Sequence, residues 1–267
     1  MLAGKQVRVS ARFTGLTRSV NLPESKTKRN PYIMTRLHKA LSTLFCLALT
    51  INAQAAGQRT DIHPDANDVQ PLLPGMKAPA FNVLSAEGKP VSFDPEKMTK
   101  PLVLSFFRGG WCPYCNLHLA ELRKAESELE AMGFDIWFIS IDRPEQLYAS
   151  LDQPDIGYEI LSDSKLEATR AFGLAFKVTD ETVEKYLQWD IDLEAASGET
   201  HHVLPAPSTF IIAADGVIRF QYTNPDYAVR LPPEVLLAAA RAYDKETNDR
   251  LRRQYKKSKE AKESAGG

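Results

Sequence analysis

Two cysteines separated by two residues stand between an apolar run that ends at Phe107 and a helix-patterned segment that begins near Pro113. A turn from a buried strand into a helix leaves backbone N–H groups unpaired and puts the positive end of the helix dipole beside Cys112. Both effects stabilise a thiolate, so Cys112 is a candidate nucleophile. Pro113 suits the first helical position, where its missing N–H costs nothing. The C-x-x-C pair, Cys112 and Cys115, therefore predicts a strand–turn–helix unit at the centre of the fold.

The same two cysteines have two structural interpretations. Half of a zinc site would need further ligands, for which His118, His201 and His202 are the candidates, but a second Cys/His pair at zinc-finger spacing is missing. A structural disulfide would close a very small loop and contribute little by loop entropy. We therefore predict a redox-active pair, with no metal and no cofactor.

The N-terminal region has the pattern of an export signal. Residues 1–33 are polar and basic, and Met34 then opens a short basic region that is followed by an apolar run, residues 40–51, and by Ala53-Gln54-Ala55. This order is typical of a signal peptide and is too short for a membrane span. We predict an upstream extension and signal peptide over residues 1–55, with translation starting at Met34 and cleavage after Ala55. An uncleaved amphipathic anchor is the alternative.

Export changes the charge and the cysteine count of the remaining chain. Residues 1–55 hold 9 Lys/Arg and 1 Asp/Glu, so the rest has 24 Lys/Arg, 33 Asp/Glu and a net charge of −9. Such a chain does not attract nucleic acid. Cys46 lies in the apolar signal run, so cleavage leaves Cys112 and Cys115 alone. We expect a periplasmic or secreted protein, without stable membrane insertion, whose two cysteines serve disulfide exchange.

The pattern along the rest of the chain predicts alternating strands and helices. Residues 56–74 are expected to form a mobile linker, residues 75–243 the folded domain and residues 244–267 a charged, fraying tail. Asp142 is a candidate N-cap of a helix over residues 144–151, and Ser162 or Asp163 of another that ends near Gly173. The remaining predicted elements are a hairpin (80–93), strands (102–107 and 134–141), a helix (113–132), a helical insertion (177–197), a hairpin (209–222) and a closing helix (232–243).

Strand, helix and strand with fully apolar strands imply a parallel βαβ unit, and the Asp215-Gly216 hairpin adds antiparallel strands. The fold class is thus α/β, with a mixed central sheet, helices on both faces and an N-terminal hairpin.

Residues 111–115 resemble the active-site motif of thioredoxins and glutaredoxins, and Pro113-Tyr114 is the glutaredoxin dipeptide. The resemblance implies a thioredoxin-like fold, in which Pro207 of the segment 206–210 matches a cis-proline that faces the active site.

The wider pattern resembles the peroxiredoxins of the alkyl hydroperoxide reductase and thiol-specific antioxidant type. The resemblance covers residues 75–243 and is carried by the segments 75–81, 108–115, 160–163, 171–174 and 208–216. It implies a thiol-dependent peroxidase of the C-x-x-C subgroup, with Cys115 as the peroxidatic cysteine and Cys112 in the place of a threonine.

Two departures from the peroxiredoxin motif concern the groups that hold the peroxide. Arg108 stands where the family has proline, and the family's active-site arginine falls near Pro207. Arg108 is a candidate replacement for that guanidinium, with a structural ion pair as its alternative. Helix-end electrostatics favour Cys112 as the nucleophile, whereas the family alignment favours Cys115.

Three hypotheses follow for the function. In the first, Cys115 reduces a hydroperoxide, Cys112 resolves the sulfenic acid, and a thioredoxin-like or glutathione-type donor reduces the disulfide. In the second, Cys112 exchanges directly with disulfide substrates; in the third, the pair is a redox-regulated or metal-binding module. Substrate-positioning roles are assigned to Arg108, Trp111, Tyr114 and Pro207. His118 is expected to be half-exposed and without a role.

Overall fold

The computed structural model describes residues 58–147, 158–243 and 253–260. Its strands are β1 (Phe81–Leu84), β2 (Pro90–Phe93), β3 (Leu102–Phe106), β4 (Asp135–Ser140), β5 (Glu159–Ser162), β6 (Ala175–Lys177), β7 (Val203–Pro205), β8 (Ser208–Ile212) and β9 (Ile218–Thr223). Its α-helices are α1 (Pro113–Ala131), α2 (Glu167–Ala171), α3 (Asp180–Leu187), α4 (Leu193–Ser197) and α5 (Pro233–Ala242). Residues 253–260 are also helical.

Seven strands form one mixed sheet in the order β2-β1-β5-β4-β3-β8-β9. Strands β3, β4 and β5 run parallel, and β8 pairs antiparallel with β3. Every residue of β3 and β8 is buried, as expected for central strands that are covered on both faces. The α/β class, the parallel βαβ unit and both predicted hairpins are confirmed.

Helices α1 and α5 cover one face of the sheet. The buried face of α1 carries Cys115, Leu119, Leu122, Ala125 and Leu129 at three- and four-residue spacings. These side chains pack in one apolar cluster with sheet residues and with α5. Full burial stabilises the fold by roughly 1.5–3 kcal/mol for each large aliphatic side chain, so this face fixes α1 and the cysteines at its start.

The opposite face is covered by α2 and by the segment before β1. Phe172, at the end of α2, contacts the rings of Phe81, Phe106 and Phe210. The N-cap of α2 is Leu166 and not Ser162 or Asp163 as predicted, but Asp163 accepts hydrogen bonds from two backbone N–H groups in the first turn of α2, at 3.0 and 2.7 Å. Helices therefore lie on both faces of the sheet.

The predicted insertion folds as an excursion that leaves and returns through a small second sheet. Strands β6 and β7 pair antiparallel, and α3 and α4 lie between them in sequence. The excursion has its own buried cluster, in which Val178, Tyr186, Leu193 and Val203 pack beside Ile141. Trp111 of the C-x-x-C turn is partly buried against this cluster. The excursion therefore packs against the C-x-x-C turn.

Two expectations are corrected by the structure. The segment expected to be a mobile linker is tied to the domain, because the backbone N–H groups of His63, Gln70 and Leu72 donate to carbonyls between residues 172 and 175. Asp142 does not cap the next helical turn, a short 3₁₀ helix at Pro144–Gln146 whose N-cap is Arg143. The carboxylate of Asp142 is engaged by a longer-range hydrogen bond from the C-x-x-C turn.

Several sequence predictions fall outside the described residues. These are the upstream extension and signal peptide, with Met34, Cys46 and Ala55, the end of the helix predicted over residues 144–151, and most of the charged tail. In the described ranges, no helix has the length and apolarity that a membrane crossing requires.

Candidate active site

The C-x-x-C pair lies at the carboxyl end of β3, where the chain turns into α1. Cys112 is the N-cap of α1 with extended backbone angles (φ −91°, ψ 112°), and Pro113 occupies the first helical position. Gly109, in the loop between, has φ +154°, and a Cβ there would lie 2.7 Å from Asp142 Oδ1 and closer still to Trp111 Nε1. The loop approaches both side chains so closely that only glycine fits.

Cys112 is ionised more readily than an ordinary cysteine. Its pKa is lowered to about 6, chiefly because the Cys115 thiol donates a hydrogen bond to its sulfur, and also because the Arg108 and Arg230 guanidinium groups lie nearby. Burial acts in the opposite direction. The predicted thiolate at the start of the helix is thus supported by a hydrogen bond and two cations.

Cys115 lies one turn deeper and is completely buried. Arg230 Nη2 donates to Cys115 Sγ at 3.2 Å. Burial nevertheless raises the pKa of Cys115 well above its usual value, and the hydrogen bond to the neighbouring Cys112 thiolate raises it further. Both cysteines are free thiols, so the structure shows the reduced pair.

The hydrogen bond between the two cysteines reconciles two predictions about the nucleophile. Helix-end electrostatics favour Cys112, whereas the family alignment favours Cys115. In the resting dithiol the first proton is lost from Cys112, and the Cys115 thiol then bonds to that thiolate. The arginine, however, contacts Cys115. Cys112 can therefore accept the Cys115 proton at the moment when Arg230 stabilises negative charge on Cys115.

The loop that carries Arg230 is anchored to α1. His118 Nε2 bonds to the carbonyl of Leu231 at 3.0 Å, and the ring is only 7% exposed. Burial lowers the pKa of His118 to about 4, so the ring is neutral and its N–H donates. His118 was expected to be half-exposed without a role; it is instead buried and fixes the residue next to Arg230.

Arg108 is buried in a cage of three aromatic rings. Its Cζ atom lies 4.1 Å from the ring centroid of Tyr227, 5.2 Å from that of Trp111 and 5.5 Å from that of Tyr186. One guanidinium N–H donates to the Tyr186 hydroxyl. The structural ion pair considered for Arg108 is absent from the described part of the chain. Arg108 is thus a cation close to Cys112 that pairs with no carboxylate among the described residues.

Trp111 and Tyr114, both in the C-x-x-C motif region, have different surroundings. Trp111 packs its ring 5.8 Å from that of Tyr186, whereas Tyr114 is 47% exposed and contacts Tyr227 edge to face.

The buried carboxyl group of Asp142 accepts hydrogen bonds from Gly110 N at 2.7 Å and from Ser140 Oγ at 3.1 Å. Burial raises the pKa of Asp142 to about 7, and the Cys115 sulfur adds to this effect.

Pro207 does not have the expected geometry. The peptide bonds of the described residues are all trans, including the bond before Pro207, and the Pro207 carbonyl accepts from Asn224 N at 3.2 Å. That carbonyl is therefore unavailable to an extended substrate. The prediction of a cis-proline, which was carried over from the thioredoxin motif, was wrong: Pro207 lies between β7 and β8 and follows a trans peptide bond.

The described residues contain no cluster of three or more His, Cys, Asp or Glu side chains that could hold a metal. His201 uses both ring nitrogens, at Ser164 O and Val203 N, and His202 pairs with Glu194. These contacts give no support to the metal-binding hypothesis.

Sequence reasoning missed Arg230, Tyr186 and Tyr227. Arg230 had one usable signal, since it immediately precedes Leu231-Pro232-Pro233, the start of a helix whose apolar face must pack beside α1. Tyr186 lies in the predicted helical insertion, and nothing in the sequence pattern distinguishes a ring in a small core from a ring against a guanidinium.

Comparisons with known proteins agree on one family. The model of the AhpC/TSA family matches residues 74–221. Peroxiredoxin Bcp of Escherichia coli K12 is 28% identical over 106 residues, 40% of this chain and 67% of that protein. A Haemophilus influenzae relative with the same bcp name is 30% identical over 106 residues, 40% of this chain and 68% of that protein.

The fold is also found among solved structures. A point mutant of the peroxiredoxin 6 of Arenicola marina superimposes with a TM-score of 0.50 at 17% identity, over 64% of this chain and 73% of that one. At this identity the likeness establishes the fold alone. It agrees with the mixed sheet and the helix positions described above.

Proposed function

Because this chain belongs to the AhpC/TSA family of thiol-dependent peroxidases, we propose that it reduces hydroperoxides through Cys115, with Cys112 as the resolving cysteine. The observation that carries the proposal is the contact of Arg230 with Cys115 Sγ. A guanidinium at this sulfur can stabilise both the attacking thiolate and the peroxide oxygen on which negative charge develops. Arg230 therefore supplies a guanidinium in place of the family's active-site arginine, whose position in the motif falls near Pro207 in this sequence.

In the first step, the Cys115 sulfur attacks the peroxide. The Cys115 proton passes to the Cys112 thiolate along their existing hydrogen bond as the S–O bond forms. The O–O bond breaks, its electron pair departs with the leaving oxygen, and that oxygen takes the proton from the Cys112 thiol to give water or an alcohol, which returns Cys112 to the thiolate. The sulfur is oxidised to a sulfenic acid and the peroxide is reduced by two electrons.

In the second step, Cys112 condenses with the sulfenic acid. Its thiolate attacks the Cys115 sulfur, the S–OH bond breaks, and hydroxide leaves as water after taking a proton. Both cysteines lie in the first turn of α1, as N-cap and third helical residue, and they are already hydrogen-bonded. The disulfide can therefore form without unwinding the helix. A thioredoxin-like or glutathione-type donor then supplies two electrons and restores the dithiol.

A second function is favoured by one observation, the low pKa of Cys112. A thiol with a pKa of about 6 at a helix start is also the arrangement of a disulfide-exchange nucleophile. In this alternative Cys112 attacks a substrate disulfide and Cys115 resolves the mixed disulfide. In that reaction the contact of Arg230 with the deeper sulfur would serve only the second, resolving step, whereas in the peroxidase it serves the first attack, so we place the peroxidase first.

We further propose that the chain is exported after cleavage behind Ala55, which places the reaction in the periplasm or outside the cell. The support is the sequence order of basic region, apolar run and small-residue site. Intact mass measurement of the protein from the producing cell tests it. A mature chain that begins at Ala56 is expected, and a cytoplasmic chain that retains residue 55 would overturn this part.

Turnover by the reduced protein tests the function itself. The mature protein is supplied with hydrogen peroxide or an organic hydroperoxide and a thioredoxin-based or glutathione-based reducing system, and consumption of reductant is followed. The same protein is then assayed with a small disulfide in place of the peroxide. Peroxide-dependent turnover well above disulfide-dependent turnover is expected. The opposite ranking would replace the peroxidase by the disulfide oxidoreductase.

A further inference from the structure

We propose that Tyr186 is a positioning residue for the redox pair: it holds the Arg108 guanidinium, and through it the inserted excursion between β6 and β7 controls how readily Cys112 reacts. The proposal rests on the redox site described above. It gives a role in the chemistry to the segment 175–205, which lies outside the C-x-x-C turn.

The first observation is the contact between Tyr186 and Arg108. The Tyr186 hydroxyl accepts a hydrogen bond from the Arg108 guanidinium, and the Tyr186 ring lies 5.5 Å from Arg108 Cζ. Tyr186 is itself only 7% exposed and packs in the buried cluster of the excursion. A buried ring of this kind has a fixed position, so the hydroxyl gives Arg108 a fixed acceptor.

The second observation is that Arg108 needs such an acceptor. The side chain is 4% exposed, and its Nε has no hydrogen-bond partner in the described part of the chain. A buried guanidinium without a carboxylate partner is costly unless neighbouring groups compensate it. Here the compensation consists of the three ring faces, the Tyr186 hydroxyl and the nearby Cys112 thiolate. Among these groups, the hydroxyl is the one whose hydrogen bond sets the direction of the guanidinium plane.

The third observation is that the excursion is joined to the C-x-x-C turn by packing. Trp111 contacts the buried cluster of the excursion and lies 5.8 Å, ring to ring, from Tyr186. Trp111 also forms part of the cage around Arg108. A displacement of α3 would thus move the acceptor of Arg108 and one wall of its cage together, and the cation would lose its place beside Cys112.

The test measures the ionisation of Cys112 without peroxide, so its result does not depend on the peroxidase assay. In a Cys115→Ser background, where Cys112 is the one thiol of the site, the rate of alkylation by iodoacetamide is followed by mass spectrometry from pH 4 to pH 9. Arg108→Gln is expected to raise the pKa of Cys112 and to slow alkylation at pH 5 by about tenfold, the equivalent of about one pKa unit. Tyr186→Phe, which keeps the ring, is expected to slow it by about two- to tenfold, the range for one hydrogen bond.

The double variant distinguishes positioning from a general structural effect. If Tyr186 acts through Arg108, adding Tyr186→Phe to Arg108→Gln causes no further slowing. Lys185→Gln is the matched control, because it removes a charge from the same helix. The ammonium group of Lys185 lies over the ring of Trp189. It is expected to leave the pH profile unchanged.

Two outcomes would overturn the proposal. One is a Tyr186→Phe variant with the wild-type pH profile, and the other is a Tyr186→Phe effect of full size in the Arg108→Gln background. Circular dichroism shows whether each variant is folded. If Tyr186→Phe does not fold, Arg108→Lys takes its place, since it keeps the charge but lacks the planar group that the cage holds. Alkylation of Arg108→Lys at the wild-type rate would then contradict the proposal.

Discussion

Replacing Arg230 by glutamine should remove most of the peroxidase activity while leaving the fold intact. At the observed 3.2 Å between Nη2 and Sγ, Coulomb's law with an effective dielectric constant of about 20 gives an attraction of roughly 5 kcal/mol for a full thiolate. This is an upper limit, because glutamine and water would replace part of it. Hydrogen bonds to charged groups contribute about 1.5–3 kcal/mol net. We therefore expect kcat/KM for hydrogen peroxide to fall by about 10- to 100-fold.

The assay is the rate of sulfenic acid formation under single-turnover conditions, which reports the attack and not the later reduction. Arg241→Gln is a matched control, because Arg241 is an exposed arginine that pairs with Glu128 far from the cysteines in sequence. It should react at the wild-type rate. Arg230→Lys should retain part of the activity, since it keeps the charge without the planar geometry. An Arg230→Gln protein that reacts as fast as the wild type would refute the assigned role of this contact.

Three further predictions concern the groups around the cysteines. His118, buried and neutral, should titrate near pH 4 and not near 6.5, which NMR of its ring protons measures; a normal value would contradict the burial of its ring. Burial raises the pKa of Asp142 from 3.8 to about 7, so the protonated carboxyl is favoured in the folded state. This stabilisation is complete below pH 3.8, the pKa in the unfolded chain, and it is lost as the pH rises to 7. Denaturant unfolding of Asp142→Asn should accordingly show a shallower fall of stability between pH 4 and pH 7; an unchanged slope would refute the shift. Gly109→Ala should lower the melting temperature and displace Trp111, because its Cβ would overlap the indole; an unaltered melting curve and Trp fluorescence would contradict the close approach.

The sequence predicted those features that depend on local pattern. Leu119, Leu122 and Leu129 repeat with helical spacing, so the length and buried face of α1 could be derived, and Pro113 marked its start. The fully apolar run before the cysteines identified β3 as a central strand. Asp215-Gly216 located the last hairpin.

The features that could not be predicted depend on contacts between distant segments. Arg230 reaches Cys115 from 115 residues away, and its place depends on the loop that His118 anchors. Asp142 has the sequence context of an N-cap, but a backbone N–H 32 residues earlier in the chain competes for its carboxylate. The proline-spotted segment before residue 75 resembled a linker because its polar composition does not reveal its backbone pairing with residues 172–177.

The identity of the cysteine that becomes a sulfenic acid tests the central claim most directly. Reduced Cys112→Ser and Cys115→Ser proteins are treated with one equivalent of hydrogen peroxide, and the sulfenic acid is trapped with dimedone and located by mass spectrometry. The account predicts stoichiometric trapping at Cys115 in Cys112→Ser, at a reduced rate because the thiolate that accepts the Cys115 proton is missing, and no comparable reaction in Cys115→Ser. Rapid trapping at Cys112 in Cys115→Ser, with an unreactive Cys115 in the other variant, would contradict it.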